Sequence, residues 1–228
     1  MASVAEVLAE LRDLGSAQTA KTYRRHGASG EVYGVSYADL YKLKKRLKMD
    51  HALARDLWRS GVSDARVLAT MVADPAQASG VELEGWLRDV DNYGLAGHLA
   101  DVAAQRADAV ALAERWTASD DEWIGRAGWR VLTLLAMKPD GPLTDEYCAR
   151  LLPRIERDIH RAKNYVSAAM NDAVIAVGGR SEALRIQATA AAKRIGKVNV
   201  DHGDTACKTP DAAAYIEKIW ARRGQRTK

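Results

Sequence analysis

Hydrophobic residues recur every three to four positions along most of the chain, a spacing that places them on one face of an α-helix. Alternating runs of the kind that strands require are scarce, and alanine and leucine are abundant. Only five prolines interrupt the chain. The pattern predicts helices over residues 2–14, 16–26, 36–48, 50–60, 63–73, 81–90, 92–104, 108–117, 119–137, 144–157, 161–177, 181–195 and 210–223.

The predicted helices are joined by short loops, and neighbouring helices form pairs that are too small to enclose a core alone. This rhythm predicts an all-α fold, a superhelical stack of antiparallel helical pairs of the HEAT-like α-solenoid kind. No strict sequence repeat is visible, so a compact helical bundle is the structural alternative. We expect a single domain over residues 1–228, with the loop 197–211 and the helix 210–223 appended. A solenoid would supply a concave surface, and a basic one would suit a DNA duplex.

The segment SDDEWIGRAGWRVLTLLAM, residues 119–137, is predicted to form one long helix. Ser119 can cap its N-terminus, and Glu122 would complete a capping box. Helical spacing predicts a buried stripe made of Ile124, Ala127, Val131, Leu134 and Leu135.

Two basic residues of the same helix, Arg126 and Arg130, are four positions apart and therefore share a face. We expect this face to be exposed and flanked by Trp123 and Trp129. A basic pair beside aromatic rings is a candidate phosphate-binding site, and a solvated surface without a ligand is the alternative.

Composition and charge limit the classes to which this protein can belong. Hydrophobic residues make up 47% of the chain, which is typical of a folded protein. The net charge of +4 is small, although the isoelectric point is near 9.0. The densest basic patch consists of Lys42, Lys44, Lys45, Arg46 and Lys48. This patch has two interpretations: it is a surface that binds a polyanion, or it is the solvated face of a helix.

Several classes are excluded by missing patterns. No apolar run is long enough to span a membrane, and charges throughout the first residues argue against a signal peptide. Two cysteines cannot form a disulfide framework. We therefore expect a cytoplasmic, monomeric protein. Neither a phosphate-binding GxxxxGK[ST] loop nor a GxGxxG turn is present, so no cofactor is expected.

The segment KVNVDHGDTACKTPD, residues 197–211, has no helical pattern and contains aspartate, histidine, cysteine and lysine side chains close together. A zinc site or a catalytic Cys–His pair would use His202 and Cys207. One histidine and one cysteine are too few for a metal without distant partners. The favoured interpretation is an ordered loop with aspartate turns and a buried Cys207, and no metal site is expected.

Five segments occur together in an order that resembles one known family. They are VYGVSYADLYKL at 32–43, LWRSGVSDARVLA at 57–69, WLRDVDNY at 86–93, EWIGRAGW at 122–129 and NYVSAAMN at 164–171. The chain is similar over roughly residues 20–195 to the AlkD-type DNA alkylation repair proteins, which are HEAT-like repeat DNA glycosylases. The resemblance implies a concave DNA-binding surface and release of N3- and N7-alkylated purines from double-stranded DNA.

The resemblance also implies the catalytic residues, and here the sequence departs from the family. The family's groove arginine corresponds to Arg126. Its Trp-Asp-x-x-Asp motif corresponds to residues 93–97, so the family's catalytic carboxylate position is Gly97. A second groove tryptophan corresponds to Asp172, which could supply the missing carboxylate. Arg126 and Asp172 are therefore the predicted catalytic pair.

The predicted DNA-binding residues are Tyr23, Tyr93, Arg126, Arg130 and Lys163. Tyr93 stands where the family has a tryptophan and keeps an aromatic face. Two other functions stay open. One is a protein of the same fold that binds DNA or structured nucleic acid without catalysis, and the other is a helical-repeat protein that binds other proteins.

Overall fold

The computed structural model describes residues 2–226, and these form thirteen α-helices and no β-strand. The helices are α1 (Val4–Leu14), α2 (Ala17–Arg25), α3 (Tyr37–Leu47), α4 (His51–Arg59), α5 (Ser63–Val72), α6 (Gly80–Arg88), α7 (Tyr93–Ala103), α8 (Ala109–Thr117), α9 (Glu122–Ala136), α10 (Asp145–Asp158), α11 (Asn164–Gly178), α12 (Glu182–Ile195) and α13 (Ala212–Arg226). Each predicted helix is present. Within the described residues, every helix falls short of the length and apolar character that crossing a bilayer requires.

Side-chain caps set most helix starts, and the predicted N-terminal ends of α9, α11 and α13 are wrong by two or three residues. The cap of α9 is Asp121, whose carboxylate accepts the N–H groups of Trp123 and Ile124 at 2.9 and 3.0 Å. Ser119 instead accepts the N–H of Asp121 at 3.1 Å, so the predicted capping box is not formed. The last helix begins after Asp211, which accepts the N–H of Ala214, and not at residues 209–210.

The chain forms two compact units. The first comprises the chain up to Ala107 together with Gly203–Thr205, and the second comprises Asp108–His202 and the chain from Ala206 onward. The expectation of one domain over the whole length stays a prediction.

In the first unit, α5 packs against α1, α3, α4 and α7. Its residue Asp64 is 1% exposed and holds the loop between α2 and α3. The Asp64 carboxylate accepts three backbone N–H groups, from Tyr33 at 2.7 Å, Gly34 at 3.2 Å and Val35 at 2.7 Å. These bonds offset the cost of burying the charge and fix the loop that precedes α3.

In the second unit, α9 packs between α8 and α11, so two of its faces are buried. The predicted stripe is buried except for Leu134, which is half-buried. The opposite side includes Trp129, which is fully buried beneath the guanidinium of Arg154, 4.9 Å from the ring centroid. The expectation that Trp129 flanks an exposed face is therefore wrong, because it assumed that only one face of α9 has a neighbour.

Candidate nucleic-acid interface

The predicted site residues fall in both units. Tyr23 and Tyr93 belong to the first unit, whereas Arg126, Arg130, Lys163 and Asp172 belong to the second.

Arg126 lies on α9, where contacts with the start of α11 hold its side chain. Its Nη1 donates to the carbonyl oxygen of Tyr165 at 3.4 Å, and its guanidinium carbon lies 6.0 Å from the centroid of the Tyr165 ring. The Tyr165 ring in turn stacks on Trp123 with centroids 5.1 Å apart. The N–H of Tyr165 donates to the carboxylate of Glu122 at 2.7 Å. Arg126 is half-buried rather than fully exposed, and its direction is set by α11.

Asp172 lies on α11 close enough to Arg126 and Arg130 for both guanidinium charges to act on it. Burial raises the pKa of the Asp172 carboxyl above its ordinary value of 3.8, and the two arginines oppose this by a smaller amount. Arg130 and Asp172 also line the same cavity of about 510 Å³. The structure thus brings together three of the predicted residues, and we call Arg126, Arg130, Tyr165 and Asp172 the arginine cluster.

Lys163 is the residue just before α11. It is exposed, and its ammonium group donates to the carbonyl oxygen of Asp120. This bond ties the segment before α9 to the start of α11. Because Lys163 is two residues from Tyr165, it adds positive charge beside the start of the helix that positions Arg126.

In the first unit, Tyr23 and Tyr93 line one cavity of about 300 Å³, which we call the tyrosine cavity. The hydroxyl of Tyr23 donates to the carbonyl of Val35 at 2.6 Å, and burial raises the pKa of Tyr23 to about 12. The hydroxyl of Tyr93 lies 3.0 Å from Nδ1 of His26. The structure places these two predicted residues in one cavity, and their role in DNA binding stays a prediction.

Gly97 lies on α7, one turn beyond Tyr93. A Cβ atom at this position would meet nothing within 4 Å, so a methyl side chain has open space here. Asp64 also lines the tyrosine cavity, but its oxygens accept the three backbone N–H groups described above. Asp64 therefore serves the loop and is a poor substitute for a carboxylate at position 97.

Sequence reasoning missed two residues with a direct structural role here. Tyr165 supports Arg126 from another helix, and Tyr37 lies against Tyr23 with ring centroids 6.2 Å apart. Both residues lie inside segments that carry the family resemblance, which is a signal that could have singled them out.

The loop 197–211 is held by backbone and hydroxyl contacts. The side-chain amide of Asn164 donates to the carbonyl oxygen of Asp201 at 2.8 Å and accepts the N–H of Asp201 at 2.7 Å. Nε2 of His202 lies 3.0 Å from the Thr209 hydroxyl. Cys207 is exposed, so the expectation of a buried thiol is wrong. Across residues 2–226, no cluster of three or more histidine, cysteine, aspartate or glutamate residues is placed to hold a metal ion.

Comparison with known proteins defines the class. A solved structure with a TM-score of 0.89 and 27% sequence identity covers 97% of this chain and 95% of its own. It represents a family of proteins related to the HEAT-like repeat DNA glycosylases with affinity for branched DNA structures. The predicted all-α, HEAT-like fold is confirmed by this match.

The family follows from the sequence as a whole. Residues 7–216 match the family described as DNA alkylation repair enzyme, and the chain belongs to it. Uncharacterised proteins of Listeria monocytogenes and Listeria innocua are 32% and 31% identical over 217 residues, which covers 92% of this chain and 93% of each relative. The predicted family resemblance is therefore confirmed.

Proposed function

We propose that this protein binds branched DNA through the arginine cluster and does not excise bases. The observation that carries the proposal is the support of Arg126 by Tyr165, through a carbonyl hydrogen bond and the ring face. A guanidinium held in this way loses less conformational freedom when it binds a phosphate. Arg130 adds a second positive charge near Asp172, so two guanidinium groups oppose one carboxyl group and the cluster keeps a positive balance.

Branched DNA is the favoured substrate class for two reasons. The solved structure that matches nearly the whole chain represents proteins with affinity for branched DNA structures. Where duplex arms diverge, phosphates of different strands approach each other, and the local negative potential rises. A compact pair of arginines gains more from such a site than from an isolated straight duplex.

The absence of base excision is proposed from position 97. An excision site needs a carboxylate to stabilise the cationic sugar or to activate water. Gly97 supplies none, and Asp64 is committed to backbone N–H groups. Loss of such a group removes orders of magnitude in rate.

Equilibrium binding to a four-way junction and to a linear duplex of the same sequence tests this proposal. We expect tighter binding to the junction, and Arg126→Ala weakens it about tenfold or more. The control is Arg157→Ala, since Arg157 is exposed and pairs with the neighbouring Asp158. Junction binding that Arg126→Ala leaves unchanged would contradict the proposal.

A second candidate function is excision of alkylated purines with Asp172 as the carboxylate. Its support is the location of Asp172 beside Arg126 and Arg130 in one cluster. In that case Asp172→Asn abolishes base release from methylated DNA. Under the binding proposal, wild type releases no base. Asp172→Asn then removes a negative charge near the bound DNA phosphate and tightens binding to the junction.

A further inference from the structure

One face of α3 carries an exposed row of two tyrosines and two lysines that the arginine cluster does not use. Tyr37, Tyr41, Lys44 and Lys48 are spaced by four, three and four residues, which places them on one side of the helix and its cap. Tyr37 is 39% exposed and Tyr41 is 56% exposed. We call these four residues the α3 stripe.

The aromatic end of the α3 stripe lies at the tyrosine cavity. The ring of Tyr37 is 5.6 Å from the ring of His98 and 6.4 Å from that of Tyr41, measured between centroids. The hydroxyl of Tyr37 lies 2.8 Å from Nε2 of His98, which fixes the Tyr37 ring. Fixed, partly exposed rings are stacking platforms for planar groups.

The tyrosine cavity suits a neutral planar ring better than a phosphate. Neither lysine nor arginine occurs among its described lining residues, which are mainly aromatic and aliphatic. Its volume of about 300 Å³ lies at the lower end of the range for small-molecule sites. This size favours one nucleobase over a larger ligand.

The basic end of the α3 stripe suits phosphates. Lys42 on the same helix pairs with Asp39 at 2.8 Å, whereas within residues 2–226 Lys44 and Lys48 form no ion pair. Lys44 and Lys48 line a second cavity of about 390 Å³, and Asp101 is the single acidic residue among its described lining. Two lysines therefore give this cavity a positive balance.

Lys48 also has an unusual backbone. Its φ of 58° lies in the left-handed region, which among residues 2–226 only Lys48 and several glycines occupy. Glycine is the residue that normally ends a helix in this region. A lysine in this strained backbone conformation points to a use for its charge.

We propose that the α3 stripe binds a single-stranded segment of DNA, with bases stacked on Tyr37 and Tyr41 and phosphates held by Lys44 and Lys48. The inference rests on the proposed function, because the single strand is the unpaired arm of a branched DNA. Stacking on tyrosine is tolerant of base identity, and lysines follow the strand's backbone. The stripe therefore recognises the unpaired state of the arm and not its sequence.

The test compares two DNA probes that share one duplex stem. One carries a single-stranded arm with 2-aminopurine next to the stem, and the other has the same arm fully paired. Fluorescence anisotropy gives the affinity, and 2-aminopurine emission reports stacking. The variants are Tyr41→Ala, Tyr41→Phe and the double variant Lys44→Gln/Lys48→Gln, with Lys42→Gln as a control that removes one positive charge from another face of α3.

We expect Tyr41→Ala to weaken binding of the single-stranded arm about fivefold or more and to restore 2-aminopurine emission. Tyr41→Phe keeps the ring and keeps the affinity. The double lysine variant lowers the salt slope by about 0.7 per lysine. Lys42→Gln behaves as wild type, and none of the variants changes affinity for the paired probe.

Two failures are distinguishable. If wild type binds both probes and the stripe variants bind the single-stranded arm as wild type does, the stripe is not the site and the proposed function stands. If wild type binds neither probe nor a four-way junction, the proposed function itself is overturned, and the inference with it.

Discussion

The guanidinium of Arg126 lies over the ring of Tyr165, with its carbon 6.0 Å from the ring centroid, and it donates to the Tyr165 carbonyl oxygen. Tyr165 belongs to α11 and Arg126 to α9, so the packing of these two helices determines where the charge points. Tyr165 is therefore a positioning residue for the proposed phosphate contact.

Replacing the ring tests this positioning. Tyr165→Leu keeps the backbone carbonyl but removes the aromatic face, so we expect junction affinity to fall two- to fivefold, in line with a partly exposed cation–π contact. Tyr165→Phe keeps the face and should restore most of the affinity. The same measurement on Arg126→Ala should show no further loss when Tyr165→Leu is added. Additive losses would contradict the coupling.

Two helical glycines should respond to alanine in opposite directions. At Gly97 a Cβ meets nothing within 4 Å, so Gly97→Ala should stabilise the protein by up to about 1 kcal/mol through helix propensity. At Gly128 a Cβ would lie 2.6 Å from the N atom of Thr117, so Gly128→Ala should destabilise it by about 1–3 kcal/mol. Urea unfolding measures both. If Gly97→Ala lowers the free energy of unfolding, the prediction that a Cβ fits without contact at position 97 is contradicted.

Asp172 should make stability depend on pH in a definite direction. Burial raises its folded pKa above 3.8, so the folded state binds more protons than the unfolded state in the interval between the two pKa values. The free energy of unfolding contributed by this group therefore falls as pH rises through that interval. Asp172→Asn lacks this fall, and its stability relative to wild type should increase from pH 4 to pH 7. If the stability of Asp172→Asn relative to wild type instead decreases from pH 4 to pH 7, the prediction is contradicted. The two arginines then stabilise the ionised Asp172 by more than burial destabilises it.

Lys48 should show a trade between stability and binding. Lys48→Gly removes a Cβ from a backbone with φ of 58° and should raise the free energy of unfolding by about 1 kcal/mol. It also removes a stripe charge and should weaken binding of a single-stranded arm. Lys48→Ala is the matched control, because it loses the charge and keeps the strain. Equal free energies of unfolding for Lys48→Gly and Lys48→Ala would contradict the prediction that the backbone at position 48 is strained.

The helices could be predicted because apolar spacing and cap residues are local properties of the chain. Two of the misplaced starts, those predicted at residues 119 and 210, share one cause. In each case an aspartate nearer to the helix, Asp121 or Asp211, accepts the free N–H groups instead. Choosing between two neighbouring caps requires the path of the chain. The cytoplasmic location and monomeric state stay predictions from the sequence.

The site could be predicted only in part. The segment around Arg126 singles it out as a candidate, but its contact with Tyr165 joins residues 39 positions apart and depends on helix packing. Trp129 was misplaced because α9 is covered on two sides. Cys207 was expected to be buried, and the conformation of an irregular loop decides that exposure.

The most direct test of the central claim uses a four-way junction built from methylated DNA, with bound protein and released base measured in the same sample. We predict that wild type binds the junction and releases no alkylated purine, and that Arg126→Ala loses the binding. Release of alkylated purine by wild type that Asp172→Asn abolishes would contradict the account and establish a glycosylase with a relocated carboxylate.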